Sequence, residues 1–407
     1  MIKRVRKYFL ILYLNNKFFN NVLILNYIMV VILGAGLSGL SSSYHIGHER
    51  CLILEKKSHV GGHANSKKKY GMFWDEGPHV SFTKSNYVRE IFGYPGKEIN
   101  KIPVKILNYF EKHWLNHPAN INLQPLNETF KKKLLKDFIY SKSKNKKKSN
   151  NYEEWLVNNF GELYTKEFPL KYTKKYWTVE PNKLNLDWVG KRITVSSFDT
   201  MIESLNSKKS KFKHYFNEII YPKNRGFIHF SKKIKEGANV QFNSSIKKIS
   251  LDKKIIYLND NMKISFEKLI NTIPLPDFIS LIEEAPKFIK DLSSKLSYTS
   301  VTIVNIVTDR PMKDFCHWFY LYDESFYTAR VTSYDNLNCL NQSNKGFFQA
   351  EIYHSSTKKI NMDVEKLRIK VIEELRNIKI FNKVFNSFTQ SIKYANTLFN
   401  LHIIALH

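Results

Sequence analysis

The sequence predicts an α/β protein in which a parallel sheet is interleaved with a second, α+β part. Three observations lead to this fold class. The chain has 407 residues, more than one compact core usually holds, and its 43% hydrophobic and 14% aromatic content is ample for a packed interior. Residues 29–33 are uniformly apolar and largely β-branched, as expected of a buried parallel strand. A glycine-rich turn follows that strand at once.

The first elements read as strand, turn, helix and strand. The turn is Gly34-Ala35-Gly36-Leu37-Ser38-Gly39, residues 40–47 continue as a helix, and Cys51 to Glu55 form the second strand. In a GxGxxG turn the first glycine makes the bend, the second lets the backbone approach a pyrophosphate, and the third lets helix and strand pack closely. The start of the helix then offers N–H groups to phosphates. The pattern predicts an adenine dinucleotide site on a Rossmann-like βαβ unit.

The residues after the second strand favour FAD as that dinucleotide. Glu55 ends the strand twenty-one residues after Gly34, where a carboxylate can bond the ribose hydroxyls and disfavours the 2′-phosphate of NADP. The glycine pair Gly61-Gly62 predicts a second close backbone approach to the cofactor, although a plain turn is the alternative. We expect Lys56 and His63, which flank these positions, to contact the cofactor as well.

The remaining pattern divides the chain into alternating segments. Residues 84–215 are expected to be mostly helical, with a solvated loop at 141–151. Strands are expected at 240–251, 254–258, 262–266 and 269–274, a second, antiparallel sheet at 300–307 and 346–353, and a helix at 363–380. The predicted division is 1–28 outside the fold, 29–83 and 216–275 for the dinucleotide, 84–215 as a helical cap, 276–400 as a substrate domain, and 401–407 as an aberrant tail.

The composition excludes several classes of protein. The formal charge of +28 comes from lysines that are scattered except at 131–148, and no base-reading module is present, so nucleic-acid binding is not expected. Cys51, Cys316 and Cys339 form no CxxC, which fits a reducing cytoplasm and argues against a zinc site. No apolar run is long enough to span a bilayer. A start at Met29 and peripheral attachment to a membrane both remain open for the leader.

Several segments resemble one known family. VVILGAGLSGL at 30–40, LILEKKSHVGGHANS at 52–66 and WDEGPHVSF at 74–82 look like the FAD-dependent amine oxidase and protoporphyrinogen oxidase superfamily. More narrowly, YTKKYW at 172–177 and residues 160–193 around it resemble the bacterial branch that contains UDP-galactopyranose mutase. The resemblance covers about residues 29–400 and implies an FAD-binding domain of the glutathione-reductase type beside an aromatic-lined substrate domain.

The resemblance also implies a set of site residues. Gly77, Pro78 and His79 would lie beside the flavin, and Tyr172 and Trp177 near the substrate, while Arg330 would bind a substrate phosphate or carboxylate. Each has a simpler alternative. His79 could bond the backbone within its turn, Trp177 could be a core residue, and Arg330 could be an ordinary strand residue.

Two departures from the family pattern bear on function. Arg192-Ile193-Thr194-Val195-Ser196 carries serine where the mutase segment has an arginine for the diphosphate, and a serine cannot replace a bidentate cation. The chain also ends at LHIIALH, where these flavoproteins continue with a segment that contacts the flavin, so we expect that segment to be missing.

Three functions remain open at this stage. The first is an FAD-dependent oxidoreductase of cell-surface polysaccharide or related metabolism, which acts on a small molecule such as a nucleotide sugar or another anionic metabolite. The second is flavin-dependent contraction of a sugar ring, and the third is a non-catalytic remnant. The sequence leaves the oligomeric state open.

Overall fold

The computed structural model describes residues 30–400 except 95, 97, 144–147, 191, 192, 194, 196, 207–215, 313, 314 and 339–343. Several predictions therefore lie outside the described residues. They concern the extension 1–28 with the start at Met29, the middle of the loop at 141–151, Arg192 and Ser196, Cys339, and the tail 401–407.

The described strands are numbered in chain order. They are β1 Val30–Leu33, β2 Cys51–Leu54, β3 Ser66–Lys69, β4 Met72–Asp75, β5 Ile99–Pro103, β6 Ile106–Phe110, β7 His113–Asn116, β8 Glu218–Pro222, β9 Val240–Gln241, β10 Ile246–Ser250, β11 Ile255–Leu258, β12 Lys263–Ser265, β13 Lys268–Asn271, β14 Tyr298–Thr308, β15 Trp318–Leu321, β16 Arg330–Ser333, β17 Gly346–His354 and β18 Val384–Thr397.

The described helices follow the same numbering. They are α1 Leu37–Ile46, α2 Asn86–Ile91, α3 Glu128–Ser143, α4 Tyr152–Phe160, α5 Glu162–Thr165, α6 Lys171–Tyr176, α7 Phe198–Asn206, α8 Lys232–Lys235, α9 Leu275–Leu281, α10 Lys287–Ser294, α11 Tyr334–Asn338 and α12 Val364–Asn377. A π turn, Lys166–Leu170, joins α5 to α6. None of these described helices is long and apolar enough to cross a membrane.

The first of two compact units takes in the described residues up to Gly62 together with Ile234–Ser293. Its parallel sheet has the strand order β13-β1-β2-β9, and β1 is fully buried between β13 and β2. An antiparallel sheet, β10-β11-β12, shares a hydrophobic core with β1 and β2 through Val31, Leu33, Leu52 and Ile256. The βαβ unit is confirmed, because β1 and β2 are short, apolar and paired in parallel, and the returning strand predicted at 269–274 is present at Lys268–Asn271, where it pairs in parallel with β1.

The second unit contains His63–Lys233 and the described residues from Ser294 onward. A seven-stranded sheet runs in the order β18-β14-β17-β16-β15-β6-β7, and the two-stranded sheets β3-β4 and β5-β8 accompany it. One face of the large sheet packs against α12 through Phe348, Leu367 and Leu375, among others. A separate core of α3 to α7 is built around Phe110, Phe138 and Phe168. The antiparallel sheet predicted at 300–307 and 346–353 is confirmed, since β14 pairs with β17.

One element prediction is incomplete and another is wrong. Residues 84–215 contain the helices α2 to α7, in line with the prediction of a mostly helical segment, but the prediction left out β5, β6 and β7, which occupy 99–116. Two of these strands pair with distant ones, β5 with β8 and β6 with β15, so a local pattern does not reveal that pairing, whereas β6 and β7 form a local hairpin. The predicted loop at 141–151 is also too long, because α3 continues to Ser143.

The predicted domain boundaries stay a prediction. By contacts alone, residues 63–83 group with the second unit. The reason is that buried Asp75, at the end of β4, accepts hydrogen bonds from Ser66, from the Tyr221 hydroxyl and from the Phe227 N–H.

Candidate cofactor and substrate sites

The turn between β1 and α1 brings two glycine segments together. Gly34 adopts φ +94°, which favours glycine, and the Gly61 N–H donates to the carbonyl of Ala35 at 2.8 Å. A Cβ on Gly62 would lie 3.1 Å from the Cα of Gly36, and a Cβ on Gly39 would lie 1.9 Å from the carbonyl oxygen of Gly34. The second glycine pair therefore packs against the first, and the third glycine of the motif is required for the helix to fit against the turn.

The N-terminus of α1 suits an anion. Its N-cap is Gly36, no side chain caps the described first turn, and that turn has no acidic residue. The N–H groups of Leu37 and Ser38 and the positive end of the helix dipole are thus available to a negatively charged group. A diphosphate fits this arrangement, because both the backbone donors and the bare glycine surface are present.

Glu55 is buried directly beside this turn. Its Oε2 accepts the N–H of Ala35 and its Oε1 accepts the N–H of Lys57, each at 2.8 Å. Each oxygen keeps a further lone pair, so the carboxylate could also accept ribose hydroxyls. The neighbouring Lys56 is exposed. The first unit therefore has the three features that an adenine dinucleotide needs, namely glycine surface, helix N-terminus and ribose acceptor.

The Gly77-Pro78-His79 turn belongs to the second unit and lines a pocket of about 240 Å³. His79 Nδ1 lies 2.7 Å from the carbonyl oxygen of Gly77. Because a carbonyl only accepts, Nδ1 carries the proton and Nε2 remains an acceptor. Burial lowers the pKa of His79 below its usual value, so the imidazole is neutral at pH 7. The backbone bond foreseen as the simple alternative is present, and His79 also lines the pocket. Exposed His63 lies 3.6 Å from Glu76 and also lines this pocket.

Arg330 begins β16 and forms a two-point ion pair with Glu351, its register partner on β17. Its Nε donates to Glu351 Oε2, and its Nη2 donates to Oε1 at 2.9 Å. Burial alone would lower the pKa of Arg330, but the Glu351 carboxylate raises it well above the usual value. Two of the five guanidinium N–H groups are thus occupied, and three remain for other acceptors.

Arg330 lines three adjoining cavities of the second unit, of about 240, 230 and 720 Å³. Tyr176 and Asn396 line both the cavity of about 240 Å³ and the cavity of about 720 Å³. The largest cavity has six tyrosines and two tryptophans in its wall and no Asp or Glu among the described lining residues. These aromatic residues are Tyr152, Tyr164, Tyr172, Tyr176, Trp177, Trp188, Tyr320 and Tyr322.

The helix α6 and the residue that follows it supply the predicted aromatic pair, Tyr172 and Trp177, together with a third ring, Tyr176. Tyr172 stacks on Tyr176 with centroids 5.5 Å apart, and Trp177 lies 4.9 Å from Trp188. Tyr176 also contacts Tyr353 at 4.6 Å. Burial raises the pKa of Tyr172 and of Tyr176, so both hydroxyls stay protonated and can donate. Trp177 is both packed against neighbours and part of the cavity wall, so the two interpretations of it are compatible.

Sequence reasoning missed several residues that the structure brings to this site. Glu351 lies in a segment that was predicted only as a strand, and no element was predicted at Tyr320, Tyr322 or Asn396. The one available signal was the single charged residue in the run from 346 to 353, which is otherwise apolar or aromatic except for Gln349, because an unpaired carboxylate is rarely buried.

Comparisons with known proteins identify the family of the chain. Residues 37–338 match the family described as flavin containing amine oxidoreductase, and the chain belongs to this family. FAD is accordingly its cofactor, as the glycine turn and Glu55 predicted. The predicted family and fold class are confirmed.

Three individual proteins are similar to the chain in sequence or in fold. The 4,4'-diapophytoene desaturase (4,4'-diaponeurosporene-forming) of Staphylococcus aureus (strain Newman) is 22% identical over 334 residues, which cover 67% of this chain and 63% of the relative. The L-amino-acid oxidase of Sistrurus catenatus edwardsii is 29% identical over 53% of this chain and 44% of its own length. The chain therefore spans less than two thirds of either relative. Reduced UDP-galactopyranose mutase has a TM-score of 0.86 at 20% identity, covering 93% of this chain and 86% of that one.

Proposed function

We propose that this flavin amine oxidase-family oxidoreductase acts on a polyhydroxylated ring, such as the sugar of a nucleotide sugar, in cell-surface polysaccharide or related metabolism. The observation that carries the proposal is the tyrosine-rich cavity of about 720 Å³ with Arg330 at its junction with the His79 pocket. Aromatic faces stack on the apolar face of a sugar, and tyrosine hydroxyls bond its hydroxyl groups. The described lining of the cavity of about 720 Å³ contains no Asp or Glu that could pair with a protonated amine. The two carboxylates of the adjoining His79 pocket lie beside cationic or titratable partners, Glu351 beside Arg330 and Glu76 beside His63.

The chain's own residues support oxidation of an alcohol. When bound, FAD accepts a hydride from the substrate carbon. The same alcohol must also lose its hydroxyl proton, and neutral His79 has an acceptor at Nε2 because Nδ1–H is held by Gly77. Arg330, fixed in orientation by Glu351, keeps three N–H donors for a phosphate or carboxylate of the substrate.

A second candidate is contraction of a sugar ring without net oxidation. The specific observation in its favour is the same set of tyrosines with an arginine, because a nucleotide sugar offers both a ring and a diphosphate to this wall. The two candidates share a substrate class. They differ in whether the sugar loses two electrons to the flavin or is isomerised without net oxidation.

The test uses the full chain loaded with FAD. Addition of UDP should quench flavin or tryptophan fluorescence at millimolar concentration or below. Anaerobic addition of UDP-galactose should bleach the oxidised flavin if the sugar is oxidised. If the ring is contracted, the oxidised flavin keeps its colour, and the dithionite-reduced protein converts UDP-galactose into an isomer separable by chromatography. Absence of both quenching and turnover would contradict a nucleotide-sugar substrate.

A variant pair makes the binding test specific. Arg330→Lys keeps a cation beside Glu351 but loses the planar donors, so UDP should bind about tenfold more weakly. Arg376→Lys, at an exposed position on α12, is the matched control and should bind UDP as the wild type does.

A further inference from the structure

One face of α3 has a composition that neither the flavin nor the cavity explains. Its inward side is buried through Lys131, Leu134 and Phe138. The outward side consists of Lys132, Lys133, Lys136, Ile139 and Tyr140, all exposed, and is called the basic–apolar face below. These positions recur every three to four residues, so they lie on one stripe of the helix.

The charge of this face is not neutralised by its surroundings. Among the ion pairs between described residues, none involves Lys132, Lys133 or Lys136. The acids of the same helix are engaged elsewhere. Glu128 pairs with Lys131 at 2.6 Å, and Asp137 accepts the N–H of Leu163 at 2.8 Å. In sequence, four further lysines follow at 144–148. The face therefore presents at least three positive charges without a described counter-charge.

An aliphatic and an aromatic side chain complete the same face one turn further on. Ile139 is 44% exposed and Tyr140 is 59% exposed. Lysines beside exposed aliphatic and aromatic side chains are the composition of helices that lie in the interface of a membrane, where cations meet lipid phosphates and apolar groups enter the acyl boundary. A nucleic acid would use the lysines but would leave Ile139 in water.

We propose that the basic–apolar face of α3 binds the surface of membranes that contain anionic lipid. The lysines supply the attraction to lipid phosphates, and Ile139 and Tyr140 insert at the headgroup boundary. The overall charge of +28 adds a general attraction to the same surface. Because only five side chains take part, binding is reversible and weakens with salt. The proposal is independent of the chemistry at the flavin.

The experiment is sedimentation of the full, FAD-loaded chain with vesicles. Vesicles of phosphatidylcholine with about one third phosphatidylglycerol are compared with pure phosphatidylcholine at physiological salt. We expect binding to the anionic vesicles alone. The variant Lys132→Glu/Lys133→Glu/Lys136→Glu should lower the partition coefficient by about 100-fold or more, since each lysine near an anionic surface contributes about fivefold. Ile139→Ser/Tyr140→Ser should lower it by about tenfold.

A matched control separates the face from the charge of the whole chain. Lys247→Glu/Lys253→Glu/Lys263→Glu changes the net charge equally at exposed positions of the first unit, and should reduce binding far less. All variants change exposed side chains, and unchanged melting temperatures of the loaded proteins verify that they fold. The proposal is overturned if the wild type does not sediment with anionic vesicles, or if the control loses as much binding as the α3 triple variant. A further test adds duplex DNA to the protein and anionic vesicles. The proposal is also overturned if Ile139→Ser/Tyr140→Ser sediments with anionic vesicles as the wild type does and the duplex DNA displaces the protein from the vesicles.

Discussion

At the scale of single residues, the three glycines of the GxGxxG turn have different structural roles. Gly34 needs its positive φ, and Gly39 needs the absence of a Cβ because the Gly34 carbonyl is in the way. Gly36 needs neither, since its φ is −70° and an added Cβ would meet only the Cα of Gly62, at 3.9 Å. A side chain at Gly36 is therefore compatible with the fold, but it would prevent a ligand from approaching the backbone of the turn.

The first prediction uses this distinction. Gly36→Val should fold but purify without FAD, because the side chain occupies the surface that the pyrophosphate approaches. The measurement is the ratio of flavin to protein absorbance, with the melting temperature of the apoprotein as the check on folding. Gly39→Val is the contrasting variant and should lower the melting temperature, because its Cβ overlaps backbone. Stoichiometric FAD in Gly36→Val would contradict the assignment, whereas a wild type that never takes up FAD would favour a non-catalytic remnant.

At the scale of elements, the sequence predicts well what is decided locally. The β1–α1–β2 unit is specified within about 25 residues by apolar runs and glycines, so its strands and helix were predictable. By contrast, β6 depends on β15, more than 200 residues away, and the 14-residue β18 depends on β14. The residues of the site divide in the same way into locally determined and long-range ones. The turn glycines could be predicted, but the ion pair of Glu351 with Arg330 forms only because β16 and β17 place the two residues opposite each other.

A buried lysine joins two of these elements. Lys175 on α6 donates from Nζ to the carbonyls of Leu321 and Asp323, each at 2.9 Å. These carbonyls lie at the start of the connection from β15 to β16. Near the end of that connection, Glu374 of α12 accepts the N–H of Tyr327 at 2.7 Å. The connection between Tyr320 and Arg330, both in the cavity wall, is therefore held from two helices.

This arrangement predicts a pH dependence of stability. Burial lowers the pKa of Lys175 to about 7, whereas the unfolded chain has a lysine pKa of about 10.4. Between these values the unfolded state binds a proton that the folded state does not, so stability rises with pH across this window. Relative to Lys175→Met, the melting temperature of the wild type should rise by about 2 °C per pH unit from pH 7 to 9. Lys174→Met, at a partly exposed neighbour, keeps Lys175, so its melting temperature should rise with the same slope as that of the wild type, and equal slopes in all three proteins would contradict a buried neutral amine.

At the scale of the whole molecule, the excess of 64 Lys and Arg over 36 Asp and Glu acts on stability as well as on partners. Like charges brought together by folding repel, and this repulsion extends over about 30 Å at 0.01 M salt but only about 8 Å at 0.15 M. The described exposed ion pairs, such as Lys248 with Glu283 at 2.8 Å, act in the opposite sense because salt weakens them. Repulsion should dominate, since basic residues outnumber acidic partners.

The corresponding prediction is that the melting temperature rises when sodium chloride is increased from about 0.01 to 0.15 M, by several degrees. The variant Lys132→Glu/Lys133→Glu/Lys136→Glu lowers the formal charge by six units from +28, and should therefore respond less to salt. Lys132→Gln/Lys133→Gln/Lys136→Gln, which removes half as much charge, should fall between the two. Sodium chloride is preferred to sulfate, because sulfate also strengthens apolar burial and would confuse the two effects. A melting temperature that falls with sodium chloride would mean that attractive pairs outweigh the excess charge, and that the lysines of this chain are distributed so as to avoid one another.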